Sequence, residues 1–318
     1  MTDAIARRFI RFAETEVRGR SPLYEALSLG VAGDPEILAF LAPLPPEKQQ
    51  PNLLLAAARL VCGTPADYAA FRAGLLARAD AIRAVMLARR TQTNEPARCA
   101  VLLPALARLP EPLALIEVGA SAGLCLLPDR YGYAYAGGTT FGGEPRFPCR
   151  ANATTPVPER RPTVIWRAGI DLNPLDARDD TEMTWLETLV WPEQTERLAR
   201  LRAAIAVARA DPPRVVAGDL LTALPALAAQ APAKATLVVF HTAVLAYVAD
   251  VDARAGFARM MREMNATWIS NEAANVFPEI AAKLATPARR GPFLLAVNGE
   301  PVAWTDPHGA WIDWIGTG

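Results

Sequence analysis

Leu113-Ala114-Leu115-Ile116-Glu117-Val118-Gly119-Ala120-Ser121-Ala122-Gly123-Leu124 is the stretch that decides how this chain is read. An apolar run broken only by Glu117 passes into a loop bounded by Gly119 and Gly123. A short apolar run of this kind suits a parallel strand buried on both faces. Followed by a helix, such a loop makes an anion and nucleotide site. Glycine lets a ligand approach the backbone, and a helix N-terminus offers free N–H groups and a partial positive charge.

Downstream, similar apolar runs occur at 163–170, 214–217, 236–240 and 267–270, separated in part by helical stretches at about 192–208, 220–229 and 251–264. Strands alternating with helices predict an α/β fold with a doubly wound, mostly parallel sheet. Residues 293–298 and 301–305 flank Gly299-Glu300 as an antiparallel C-terminal hairpin, continued by 310–315. That makes a seven-stranded sheet. Residues 131–162, rich in Gly, Pro and Thr, read as an insertion. Upstream, Ile5, Phe9, Ile10 and Phe12, then Leu53, Leu54, Ala57, Leu60 and Val61, then Leu75, Ala79, Ile82, Val85 and Met86 recur at helical spacing. Residues 1–110 are therefore expected as an N-terminal helical region on the lid or substrate side, and 111–318 as the α/β domain.

Composition narrows the function. The 318 residues carry 33 basic and 33 acidic side chains, and only Lys48, Lys234 and Lys283 are lysines. The arginines are scattered in pairs rather than gathered in a stripe, so no nucleic-acid partner is expected. Four cysteines without a C-x-x-C pair, and an opening Met-Thr-Asp-Ala-Ile-Ala-Arg-Arg without an apolar signal segment, predict a reducing, cytoplasmic setting. With only His241 and His308 available, no metal site is expected. No apolar run approaches the ~18 residues that a membrane span needs.

Three readings of the loop compete. In the plainest, Gly119 and Gly123 only shape a turn. In the second, Gly119-Ala120-Ser121-Ala122-Gly123 matches G-x-S-x-G, the nucleophile elbow of serine hydrolases, with Ser121 as nucleophile, His308 as base and Asp219, Asp250 or Asp306 as third member. The helical character of residues 1–110 and the lack of an H-G-G-G-type segment speak against it. The third is S-adenosylmethionine binding. Glu117, two residues before Gly119, can accept hydrogen bonds from the ligand's ammonium. The second strand runs into Asp171-Leu172-Asn173-Pro174, the third into Gly218-Asp219-Leu220 and the fourth into His241-Thr242. In an open α/β sheet, ligands lie outside the carboxyl ends of the strands. Asp171 there can hold both ribose hydroxyls, and Asp219 with the Leu220 N–H can meet an adenine edge. A nicotinamide fingerprint fits worse, because Ser121 and Leu124 stand where glycines belong.

These residues carry a resemblance. Glu-Val-Gly-Ala-Ser-Ala-Gly-Leu resembles the first motif of class I, Rossmann-like methyltransferases, Gly169-Ile170-Asp171 the second and Ala217-Gly218-Asp219 the third. Gln92-Thr93-Asn94-Glu95, Leu127-Pro128-Asp129-Arg130-Tyr131-Gly132-Tyr133, the run from Val239 to Tyr247 and Ser270-Asn271-Glu272 look like an uncharacterised bacterial family, domain of unknown function 2332. The resemblance implies the methyltransferase fold, with S-adenosylmethionine as cofactor and S-adenosylhomocysteine as product. Glu117, Gly119, Ser121, Ala122, Gly123, Asp171, Asn173, Gly218, Asp219, Leu220 and His241 form the implied cofactor set. It brings no known substrate.

In that fold the methyl group points toward the end of the fourth strand. His241 is therefore a candidate general base, with Tyr247 as a second catalytic candidate. The alternative for His241 is a histidine hydrogen-bonded to a backbone carbonyl, orienting the loop. Asn271 and Glu272 close the fifth strand on the acceptor side. Gln92, Asn94, Glu95 and Arg98 precede the first strand as a segment that can fold over the ligand, with Arg98 toward its carboxylate. The expected function is methyl transfer to a small-molecule acceptor. The alternatives are a non-catalytic binder of adenosylmethionine or a nucleotide and, third, a hydrolase using Ser121.

Overall fold

β1 (Leu113–Val118) is buried at every position, as a strand covered on both faces must be. In this computed structural model, which describes residues 2–248, 250–286, 288–289 and 291–315, it lies within one sheet. Its fellow strands are β2 (Gly132–Tyr135), β3 (Thr140–Phe141), β4 (Arg146–Ala151), β5 (Val164–Asp171), β6 (Arg214–Ala217), β7 (Thr236–Thr242), β8 (Thr267–Ala273), β9 (Phe293–Val297), β10 (Glu300–Thr305) and β11 (Trp311–Trp314). The order is β3-β2-β4-β11-β10-β9-β8-β7-β1-β5-β6. β6, β5, β1, β7 and β8 are parallel. Their order reverses at β1, between β5 and β7, which makes the carboxyl end of β1 the topological switch point where such sheets take ligands. β9 and β10 are antiparallel to their neighbours, as the hairpin reading expects.

Two expectations are corrected. Among the described residues the sheet has 11 strands, not seven. The stretch read as an insertion supplies β2, β3 and β4, and β4 joins the sheet through β11. The period-two burial of β4, with Phe147 and Cys149 inward between exposed Arg146, Pro148 and Arg150, is masked in the sequence by its charged and proline positions. Nor does an α-helix follow the glycine loop. The chain makes a single 3-10 turn, Leu124–Leu126, and Leu127 precedes Pro128, which disfavours the α conformation.

Contacts divide the chain into two units. One holds the residues up to Thr93 with Asp180–Ala199, the other Asn94–Asp179 with the residues from Arg200 onward. The first is helical: Thr2–Phe12, Pro22–Ala32, Pro35–Leu41, Pro51–Cys62, Tyr68–Ala77, Ala79–Ala88 and Asp180–Leu189. Ser21, Asp34 and Asp67 cap three of these helices through their side chains. Residues 180–199 are tied in by Trp185 Nε1 donating to the Arg90 carbonyl (2.9 Å), Trp191 Nε1 to Asn52 Oδ1 (3.0 Å) and Ser21 Oγ to Glu193 Oε2 (2.7 Å). In the second unit Leu224, Leu227, Phe257 and Met261 of the helices Leu220–Ala228 and Val251–Glu263 pack on one face of the sheet, against Ile116, Val118, Ile170 and Val239.

Within the helical unit, Gly30 makes room for an aromatic ring. A Cβ there would lie 2.3 Å from Tyr68 Cδ2, and the Tyr68 hydroxyl is held by Asp34 Oδ2 at 2.8 Å. Gly30→Ala should therefore lower stability by about 1–3 kcal/mol, the range for overpacking, although alanine is the better helix former. Urea unfolding checks this, and a stabilised variant would refute it.

Candidate functional site

Strand pairing decides which side chains share a face. Glu117 is in register with Gly169 of β5 and with Phe240 of β7. Alternation then puts Asp171, Thr242 and Asn271 on the Glu117 face, and Val118, His241 and Glu272 on the other. The candidate residues thus form two sets.

On the Glu117 face the glycine loop folds back over β5. A Cβ at Gly169 would meet Ala120 Cβ at 2.5 Å, so glycine is what lets the loop lie down. Five of the amides from Gly119 to Leu124 are engaged inside the protein. Gly119 N and Ala120 N donate to the Ile170 carbonyl (2.8 and 3.1 Å) and Gly123 N to Ala120 (2.7 Å). Ser121 N donates to Asp171 Oδ2 (2.8 Å) and Leu124 N to Asn94 Oδ1 (3.0 Å). The space above Gly119 is also taken: a Cβ there would lie 2.3 Å from Val244 Cγ2. The expectation of a loop backbone cradling an anion is corrected accordingly. What this face offers is side chains.

Arg98 is buried beside them. Its Nε donates to the Pro307 carbonyl (2.7 Å), and its Nη1 donates to the carbonyl and hydroxyl of Thr242 (3.1 and 3.2 Å). Thr305 donates to Asn271 Oδ1 at 2.7 Å. Three polar atoms are left buried without a hydrogen-bond partner: Glu117 Oε2, Ser121 Oγ and Asn271 Nδ2. Buried polar atoms are nearly always paired, and an exception asks for an explanation. Burial pushes the Glu117 carboxyl well above the usual carboxylate range, the Cys125 thiol beside it adds to the shift and the Arg98 cation opposes it.

The opposite face is closed. His241 is fully buried, ringed by Phe257, Trp268 and Phe277. Trp268 Nε1 donates to its Nε2 (3.0 Å), which assigns the ring proton to Nδ1, and Nδ1 donates to Glu272 Oε1 (2.8 Å). Glu272 Oε1 also accepts from Val244 N (2.9 Å) and Leu245 N (3.0 Å). The pair thus holds the turn after β7, whose first residue, Ala243, has a φ of 56°. The partners of His241 are a carboxylate and an indole, not the backbone carbonyl of the loop-orienting alternative. Both ring nitrogens are engaged, on the face away from Glu117.

The other candidates are scattered. Tyr247 is 75% exposed. Asp219 is exposed and caps the helix Leu220–Ala228 by accepting from Leu221 N (2.8 Å). Gly218 and Leu220 beside it are half-buried, and Asn173 is exposed. Glu95 is buried, accepts from Ala97 N (3.2 Å) and lies 3.8 Å from His308 Nδ1. Ala122 is buried, and Gly123 leaves room for Pro213. Gln92 belongs to the helical unit. Ser121, at a φ of 52°, has no histidine on its hydroxyl, so no Ser–His pair exists among the described residues. Nor do the described residues hold a cluster of metal-ligating side chains, or a helix long and apolar enough to cross a membrane. Thr242 and Thr305 complete the Glu117 face, and the sequence reading passed over both. Counting alternate positions from Glu117's neighbours would have preferred Thr242 to His241.

The family model described as "Uncharacterized protein conserved in bacteria (DUF2332)" matches residues 6–314, and the chain belongs to that family. No curated protein and no solved structure matches it.

Two predictions follow from the two faces. A carboxyl whose pKa is higher folded than unfolded binds protons preferentially in the folded state, so its contribution costs stability as pH rises through that interval. Glu117→Gln should then unfold at higher denaturant than the wild type at neutral pH, the gap closing as pH falls toward the ordinary carboxylate range. Equal midpoints across pH would show that Glu117 is not perturbed. His241→Ala leaves Glu272 buried without its ring partner and should cost about 3–5 kcal/mol. A double-mutant cycle with Glu272→Gln should give clear coupling, and additive losses would break the pairing argument.

Proposed function

For this member of an uncharacterised bacterial family, we propose an S-adenosylmethionine-binding protein that transfers the methyl group to a small-molecule acceptor. The observation that carries the reading is the set of three unpaired buried atoms, Glu117 Oε2, Ser121 Oγ and Asn271 Nδ2, on one face at the switch point of a doubly wound sheet.

The residues fit the ligand's polar groups. Glu117 accepts from an ammonium, and the buried Arg98 cation, near enough to act on Glu117 electrostatically, offers charge for a carboxylate; together they suit an α-amino-acid head. Asp171 accepts one backbone N–H on each oxygen, from Ser121 and from Asn173 (2.8 Å each), and keeps lone pairs for a ribose diol. Asn271 Nδ2 donates and Ser121 Oγ does either. When bound, S-adenosylmethionine supplies an electrophilic methyl on a sulfonium. The chain supplies binding, orientation and exclusion of water.

A second reading, a non-catalytic binder of the same ligand, has one observation in its favour. Neither His241, locked on the opposite face, nor exposed Tyr247 is placed to take a proton beside Glu117.

Titration calorimetry separates these from the hydrolase. S-adenosylhomocysteine should bind and, at a hundred times its dissociation constant, stabilise the fold by about 2.7 kcal/mol, whereas NAD should not bind. Asp171→Ala should weaken binding by about 1.5–3 kcal/mol, and Ser121→Ala, which removes a neutral hydrogen-bonding group, by the smaller amount of about 0.5–1.5 kcal/mol. No binding of either adenosyl ligand at millimolar concentration would end the proposal. Binding without turnover of any acceptor in a radiolabelled-methyl screen would select the second reading. A serine labelled by a fluorophosphonate probe would restore the hydrolase.

A further inference from the structure

An acceptor that carries a proton on its attacking atom needs a group to take that proton, and neither His241 nor Tyr247 is placed to do so. The chain's other histidine is His308. It stands in the turn between β10 and β11, and two contacts bring that turn to the Glu117 face. Arg98 Nε donates to the carbonyl of Pro307, the residue before His308 (2.7 Å), while Arg98 Nη1 reaches Thr242. Thr305 donates to Asn271 Oδ1 (2.7 Å), and Nδ2 of the same amide is one of the three unpaired atoms. Strand direction agrees. β10 is antiparallel to β9, and β9 to β8. The carboxyl end of β10 therefore lies at the same edge of the sheet as those of the parallel strands, where ligands bind.

The turn itself is tightly held. Asp306 Oδ1 accepts from His308 N (2.8 Å) and Ala310 N (3.2 Å), and Gly309 N donates to the Asp306 carbonyl (3.0 Å). The absent side chain of Gly309 lets the turn sit down on Ala97. This seating places His308 Nδ1 3.8 Å from Glu95 Oε2, with the Glu95 side chain 6% exposed and the His308 side chain 38%. Glu95 is fixed from its other oxygen, Oε1, which accepts from Ala97 N (3.2 Å). A buried carboxylate thus backs an imidazole that is open to water. A carboxylate so close favours the protonated ring. The separation exceeds a hydrogen bond, and contacts of this kind commonly tighten only when substrate is bound. Of the other charges nearby, the Asp306 carboxylate is engaged by the turn amides and the Arg98 cation by Pro307 and Thr242.

We propose that His308 is the general base of the methyl transfer, with Glu95 as its positioning residue. The acceptor is then a neutral nucleophile with a proton to lose: an alcohol, a phenol or an uncharged amine. Its oxygen or nitrogen bonds to the methyl carbon as the methyl–sulfur bond breaks, that bond's electron pair staying on sulfur. The displaced proton passes to His308 Nε2 and from there to water. The inference rests on the methyl-transfer reading.

Titration of the full chain by nuclear magnetic resonance tests the pair without any acceptor. The chain has only two imidazoles, and that of His241 is fully buried. His308 should titrate at lower pH in Glu95→Gln than in the wild type, since the variant removes the negative charge but keeps an amide oxygen for Ala97 N. Turnover is read with radiolabelled methyl donor on alcohols, phenols and amines. His308→Ala should lower it about 10²–10⁴-fold, with the melting temperature unchanged and S-adenosylhomocysteine affinity within a few-fold, and added imidazole should restore part of the loss. Glu95→Gln should lose turnover through kcat, with KM little changed. A His308 midpoint indifferent to Glu95→Gln, wild-type turnover in His308→Ala, or acceptors confined to thioethers and carboxylates would overturn the inference. Calorimetry with S-adenosylhomocysteine keeps the two proposals apart. If it binds while no acceptor turns over, the base assignment fails and the binding site stands. If it does not bind, the methyl-donor reading falls and takes the base with it.

Discussion

A carboxyl buried in the middle one of five parallel strands, covered on both faces, is the constraint around which this unit is arranged. Removing a carboxylate from water is costly unless it is neutralised or paired. Glu117 is buried, one of its oxygens lacks a partner, and burial pushes its carboxyl well above the usual range, a shift the Arg98 cation opposes. The cation that offsets its charge, Arg98, comes from the segment before β1 and must itself be held. Its bonds to Thr242 and Pro307 tie that segment to β7 and to the turn beyond β10. The turn comes close enough that a Cβ at Gly309 would lie 2.2 Å from the Ala97 carbonyl oxygen. Arg98 thus ties residues 94–98 to β7 and to a turn whose close approach requires a glycine more than two hundred residues away.

The pleat then divides the chemistry. Neighbouring residues on a strand face opposite ways, so Thr242 joins the Glu117 set while His241 turns into an aromatic cage. The two faces are still connected mechanically. Glu272 holds Val244 N and Leu245 N from behind, and the Val244 side chain rests on Gly119 in front. The His241–Glu272–Trp268 system therefore acts as a strut. It fixes the turn that covers the glycine loop, and any group approaching Gly119 from that side must first displace a residue anchored through a buried carboxylate.

Where the sequence was legible, the signal was local. β1 and β5 to β8 are apolar runs long enough to read directly, and the glycine loop, Asp171 and Arg98 stand out beside them. β4 was not legible, because Arg146, Pro148 and Arg150 occupy its exposed positions and hide the alternation. The missing helix after the loop was foreshadowed by Leu127-Pro128, a signal outweighed by the glycine pattern. The close approach of Gly169 to Ala120 joins positions 49 residues apart, and the turn that brings Val244 over Gly119 joins positions still more distant. No local rule reaches such contacts. Asp219 illustrates the reverse error. An acidic residue after a strand and before a helix satisfies both a ligand motif and an N-cap, and only its bond to Leu221 N and its exposure separate the two.

The unpaired atoms bear on function because of their kind as much as their number. Each buried polar atom left unsatisfied costs about 1–3 kcal/mol, so three on one face cost about 3–9 kcal/mol, against a typical domain stability of about 5–15 kcal/mol. Another such atom, Glu272 Oε2, lies on the opposite face, where Glu272 lines a cavity of about 10 Å³, about the size of one water. The three on the Glu117 face differ from one another: a carboxyl oxygen, a hydroxyl and an amide nitrogen. Loose packing would have no reason to gather an acceptor, a donor and a group that is both at the switch point of a parallel sheet, within the field of one buried arginine. A ligand carrying a cation, hydroxyls and an acceptor would offer a partner to all three together.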